Sequence, residues 1–189
     1  MNHPGEGAAY HVARSVVPGA LIDDALRLLH VNLLEEGASA RRLADWLWSA
    51  HWFPHLKHRQ EILALAEALP DDWTTGTICD PQILLQFPHV GPRPEITFHL
   101  DQEPDWADGR RYLRIVGVPL TPWREANGGL LVANDGGPAA VELNPGDAVM
   151  MTPELAHSGG VNTTGSIRYG VYLRWLEDGP RASSISAPD

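Results

Sequence analysis

The sequence predicts a mainly β protein with helices at its N-terminal end. Three observations carry this: helical spacing of apolar residues before residue 70, a change of texture near residue 74, and short apolar runs broken by turn residues thereafter. In residues 18–36, Leu21, Ala25, Leu28, Leu29 and Asn32 recur at helical spacing, with acids early and Gly37 placed to end the helix. Ser39 is an N-cap candidate for ARRLADWLWSA. HRQEILALAEAL, ahead of Pro70, repeats the pattern through Ile62, Leu63, Leu65 and Leu69. Trp46, Trp48, Trp52 and Trp73 are expected to anchor these helices to a sheet.

After residue 74 the expected strands are QILLQF, EITFHLD, RYLRIVGVPL, GLLVAN, AAVEL, DAVMMT and IRYGVYLRWL, with turns at HVGPRP, EANGG, NDGGP, NPGD and NTTGS. Strands this short and this regularly punctuated predict a sandwich or jelly roll. Three short helices make a poor core of their own, so the change of texture is not a domain boundary. One domain is expected over 1–189: supporting helices at about 18–70, a β core at about 80–176, and a polar, disordered tail at 177–189.

The formal charge of −10 speaks against a nucleic-acid or anionic-membrane partner, since both select a basic surface; a small-molecule substrate is expected instead. Cys79 is the only cysteine, which excludes an intrachain disulfide and fits a reducing compartment. MNHPGEGAAY lacks the basic and apolar regions of a signal peptide, and no apolar run approaches the roughly 20 residues of a membrane span. The expectation is a cytoplasmic monomer or homodimer.

In EITFHLD, residues two apart project from one face of a strand, so His99 and Asp101 can converge on one ion. Taken alone, an H-x-D pair is as readily a surface pair. The C-terminal half changes its meaning: NPGDAVMMTPELAHSGGVNTTGSIRYGVYLRWL carries a Gly-Asp turn, an apolar strand, His157, a polar loop with Asn162, and Arg168 opening the last strand. Two His and one carboxylate on one face of an octahedron suit non-haem iron(II) and leave positions open for reactants. 2-Oxoglutarate chelates such an iron through its 1-carboxylate and 2-keto oxygens, and its distal carboxylate then needs a permanent, bidentate cation. Arg168 fits that demand.

The order His99, Asp101, Gly146, Asp147, His157, Asn162 and Arg168, with Arg168 eleven positions after His157, resembles the phytanoyl-CoA dioxygenase-like family of Fe(II)/2-oxoglutarate dioxygenases, which includes ectoine hydroxylase. The resemblance covers about residues 80–176. It implies a double-stranded β-helix (jelly roll, cupin-like) core, with His99, Asp101 and His157 on Fe(II), Arg168 on the 2-oxoglutarate 5-carboxylate, and O2 as co-reactant. It also points to Gln86, thirteen positions before His99, as a cosubstrate contact. Ser158 is a further cosubstrate candidate, although relatives place that hydroxyl where this chain has Gly159, and VANDGG stands where relatives carry G-S-H. Related halogenases replace the acid of the pair with a small residue, so Asp101 favours hydroxylation. Desaturation, cyclisation and epimerisation begin with the same hydrogen abstraction.

Trp106, Arg110, Arg111, Tyr112 and Arg114 follow the metal pair and are candidates for the pocket mouth, with Tyr112, Arg114 and Val116 expected on one face of their strand. Trp123, in a loop, is a lid candidate. His51, His55 and His58 cluster without an acid or Cys to complete a metal set and are taken as a solvated helix end. The shortness of the chain leaves little room for a coenzyme A platform, so a compact free molecule, such as an amino acid derivative or secondary metabolite, is the expected substrate. The competing readings are a cupin-type metalloenzyme without 2-oxoglutarate and a catalytically silent jelly-roll binding module.

Overall fold

The structure is a computed structural model that describes residues 10–39, 59–79, 81–101 and 112–177. Its chain order is β1 (Tyr10–Ala13), α1 (Gly19–Ser39), α2 (Arg59–Leu63), two short 3-10 turns (Ala64–Ala68 and Asp71–Trp73), then β2 (Thr77–Ile78), β3 (Gln82–Gln86), β4 (Tyr112–Pro119), β5 (Leu130–Val132), β6 (Ala139–Val141), β7 (Ala148–Met151), β8 (His157–Gly159) and β9 (Arg168–Leu176). The described fold is mostly β and jelly-roll-like. A six-stranded antiparallel sheet runs β1-β7-β4-β9-β2, with β3 also paired to β9, and a three-stranded sheet runs β6-β5-β8.

Period-two alternation sorts the large sheet into two faces. One face gives Ile83, Leu85, Val116, Val118, Val171, Leu173 and Trp175 to a core shared with Ile22, Ala25 and Leu29 of α1 and with Ile62, Leu65 and Trp73. The other gives Ile115, Val149, Met151 and Tyr172 to a second core shared with Leu130, Val132 and Val141 of the small sheet. Each fully buried aliphatic side chain contributes about 1.5–3 kcal/mol. The result is a layer of helices, the large sheet, and the small sheet.

Trp123 fills the inter-sheet core rather than serving as a lid: it is 0% exposed, and its indole N–H donates to the Tyr169 carbonyl at 3.3 Å. The ring is admitted because Gly117 and Gly170 lack side chains, and a Cβ on Gly170 would lie 2.5 Å from it.

Several sequence expectations need correction. α1 continues through Gly37 to Ser39, since one helical glycine weakens a helix by about 1 kcal/mol without ending it. HRQEILALAEAL tightens from α-helix into a 3-10 turn after Leu63, ahead of Pro70. EITFHLD is no strand: only His99 pairs, in an isolated bridge to His157, and the segment enters from Pro92 and Pro94, which offer no N–H to a ladder. β1, β2 and β8 are short strands that the pattern does not announce. The expected helix ARRLADWLWSA, Trp46, Trp48, Trp52, the His51/His55/His58 cluster and the tail beyond Glu177 lie outside the described residues.

Because the ring over Gly170 is rigid, Gly170→Ala is expected to destabilise the fold by about 1–3 kcal/mol, measured by urea denaturation.

Candidate metal centre

β8 is held by β5, with Val132 opposite His157, and its free side is taken by His99. The His99 and His157 amides each donate to the other residue's carbonyl at 3.0 Å, and the Asp101 amide donates to the Pro153 carbonyl at 3.1 Å. This places three side chains together. One ligand atom from each of His99, Asp101 and His157 lies within 4.8 Å of the others. Asp101 Oδ1 is 3.6 Å from His99 Nε2, and Asp101 Oδ2 is 3.9 Å from His157 Nε2. Such spacing suits one divalent ion between them.

His157 is preset as a ligand. Its Nδ1 lies 2.9 Å from the Leu155 carbonyl, which can only accept, so Nδ1 carries the proton and Nε2 offers its lone pair. Burial is the main reason its pKa falls below the usual imidazole value; the Leu155 carbonyl and Asp101 oppose the shift, and His99 and Arg174 add to it. A neutral imidazole is the ligating form.

Gln82, Leu84, Tyr172 and Arg174 from the inner face of the large sheet close a cavity of about 290 Å³ around the three ligands, and Gln86, Ser158 and Gly159 line its other end. Gln86 is both on the wall and opposite Arg168 in the β3–β9 register. Its backbone is fixed by Asn162, whose amide nitrogen donates to the Gln86 carbonyl at 2.8 Å and to the Ser166 carbonyl at 2.8 Å. The Ser158 hydroxyl donates to the Gly159 carbonyl at 3.2 Å.

Arg168 is 1% exposed, and its Nε, Nη1 and Nη2 have no hydrogen-bond partner among the described residues. Its guanidinium stands 5.2 Å from the Trp123 ring centroid. Burial brings its pKa down to about 10, so it is still a cation at neutral pH. Arg168 itself is not a lining residue of the cavity; Gln86 and Tyr172, on the same sheet face, are. The Tyr172 phenol is pushed up to about 12 by burial and stays protonated.

Gly146 and Asp147 are structural. Gly146 turns with φ +95°, and the Asp147 carboxylate accepts from the Ser15 and Asn144 amides at 3.0 and 2.8 Å and from Arg14 at 2.9 Å.

Two expected pocket residues are elsewhere. A register shift between Tyr112 and Arg114 separates their faces: Arg114 donates to the Asp72 carbonyl beside the helices, while Tyr112 lies 5.8 Å under the Arg174 guanidinium. Trp123 is in the core. Trp106, Arg110 and Arg111 lie outside the described residues. Sequence reasoning missed Gln82, Tyr172 and Arg174. The signal was available, because Arg168, Gly170, Tyr172 and Arg174 share one face by alternation.

No protein-family model and no curated protein matches the chain in sequence. Solved structures do match in fold. The chain is similar to AviO1 from Streptomyces viridochromogenes Tue57 at 18% identity, covering 96% of this chain and 92% of that one, with a TM-score of 0.58. It is similar to the epimerase SnoN in complex with Fe3+, alpha-ketoglutarate and nogalamycin RO at 16% identity, covering 95% and 88%, TM-score 0.58. It is also similar to the non-heme monooxygenase ThoJ in a nickel complex at 18% identity, covering 88% and 72%, TM-score 0.57. At such identities the likeness is one of fold.

The depressed pKa of His157 ties stability to pH. In metal-free protein the unfolded chain binds this proton first, so stability is intact above about pH 6.5 and is lost as pH falls through the lower folded value. His157→Gln is expected to flatten that acid limb by up to one proton, read from thermal denaturation between about pH 5 and 8.

Proposed function

We propose that the chain is a non-haem Fe(II)/2-oxoglutarate-dependent oxygenase that hydroxylates a small molecule. The observation that carries this reading is the joint presence of a His-Asp-His set and a buried guanidinium without a partner among the described residues. Two imidazoles and a carboxylate fit iron(II), and Arg168 offers the fixed, two-pronged cation that a distal carboxylate needs. A cupin-type metalloenzyme without 2-oxoglutarate, or a silent binding module, gives Arg168 no hydrogen-bond acceptor among the described residues.

Bound iron with 2-oxoglutarate and O2 supplies the oxidant for breaking a substrate C–H bond. The chain does the rest. His99, Asp101 and His157 hold the metal from one side. Arg168 clamps the 5-carboxylate, and Gln86 and Ser158, on the cavity wall, are assigned to orient the cosubstrate. Gln86 offers an amide donor and Ser158 a hydroxyl. Tyr112, under the Arg174 guanidinium, and Tyr172, on the cavity wall, are assigned to the substrate, as is Trp106, which lies outside the described residues.

The residue order supports the phytanoyl-CoA dioxygenase-like assignment, and the fold likeness supports a double-stranded β-helix core. The SnoN complex holds nogalamycin RO, which supports a small-molecule substrate here too. We further propose one domain over 1–189, acting in the cytoplasm as a monomer or homodimer. No helix among the described residues is long and apolar enough to cross a membrane.

Anaerobic addition of Fe(II) and 2-oxoglutarate is expected to give a weak visible charge-transfer band that is absent in Asp101→Ala. Intact protein without the band overturns the reading. Arg168→Met is expected to weaken 2-oxoglutarate binding by roughly 10²- to 10³-fold, the cost of breaking a buried ion pair, with metal binding retained.

A further inference from the structure

Resting on the iron-site reading above, one buried residue beyond the ligand set has a defined job. Arg174 lies on the inner face of β9, with its side chain 8% exposed, and its Nη2 donates to Asp101 Oδ2 at 3.1 Å; Asp101 is 17% exposed. The same Nη2 donates to the Gln82 side-chain oxygen on β3. One oxygen of the metal carboxylate is therefore occupied. The other, Oδ1, faces His99 Nε2 at 3.6 Å.

The backbone contacts of the ligand arm run to β8 and to the connection that leads into it from β7. His99 is paired to His157 of β8, and the Asp101 amide bonds Pro153 in the connection from β7 to β8. Between His89 and His99 the described residues form no strand. The Arg174 contact is the described side-chain tie from the ligand carboxylate to β9, across the cavity.

We propose that Arg174 is the positioning residue of the metal carboxylate. By holding Oδ2 it makes Asp101 a one-oxygen ligand aimed through Oδ1, and by reaching across the cavity it fixes the distance between the two histidines and the β9 face. Gln82 holds the guanidinium in the required rotamer. A carboxylate released from this grip is free to rotate and take the metal through both oxygens, occupying a position meant for a reactant.

The test is anaerobic titration of the protein with Co(II) alone, following the cobalt visible bands, so that neither turnover nor 2-oxoglutarate enters the readout. Arg174→Met is expected to lower Co(II) affinity about 10- to 100-fold and to alter the band shape. Arg174→Lys, which keeps the charge, is expected to recover most of the affinity, and Gln82→Leu to lose less than Arg174→Met. Wild-type affinity and spectrum in Arg174→Met overturn the proposal, as does Arg174→Lys binding as weakly as Arg174→Met. If Arg174→Met fails to fold, wild-type binding and spectrum in both Arg174→Lys and Gln82→Leu overturn it instead. A wild-type protein that takes up no Co(II) overturns the iron reading itself, a failure seen before any variant is made.

Discussion

Two guanidinium groups share the inner face of β9, and water reaches neither well: Arg168 is 1% exposed and Arg174 7%. A charge withdrawn from water costs several kcal/mol unless something nearby answers it. Arg174 is answered within the chain by Asp101 and Gln82. Arg168 has the face of Trp123, an attraction of about 2 kcal/mol for a desolvated pair, and no hydrogen-bond acceptor among the described residues. The unequal treatment of two like charges on one strand organises the site. Arg174 is neutralised by the protein at the cavity wall, while Arg168, behind Gln86 and Tyr172, keeps its charge without an acceptor among the described residues.

This arrangement depends on the layer structure. The helices cover the hydrophobic outer face of the large sheet, so the inner face is free to carry polar and charged groups without forfeiting the core. Trp123 seals the inter-sheet space beside them. It lies against Gly117 and Gly170, where backbone and ring meet with no side chain between. The same ring that fills the core shields Arg168 from water.

The His99, Asp101 and His157 cluster is legible in the sequence because it lies in spacing and order, which a linear chain records directly. The apolar alternation of QILLQ and RYGVYLRWL likewise becomes β3 and β9 with little adjustment. What escapes is set by contacts between distant parts. HSG at 157–159 has no strand pattern and pairs only because β5 and His99 flank it. EITFHLD has a strand's pattern but lies at an edge entered through prolines. A register shift between Tyr112 and Arg114 puts Tyr112 on the face opposite Arg114 and Val116, which alternation alone had grouped together. Trp123 sits among turn residues in sequence, and its burial is decided by two glycines on other strands.

His99 and Asp101 come at the end of a long extended arm whose residues 89–95 are exposed and whose described backbone anchors are His89, His99 and Asp101. Few bonds hold such an arm, so it belongs to the low-stability end of the molecule's opening hierarchy. Two of three ligands are thus carried by a strap and the third by a packed strand. An ion held between them would act as a buckle, spending part of its binding energy on fastening the strap, so that amide exchange along residues 89–101 would report whether the buckle is closed.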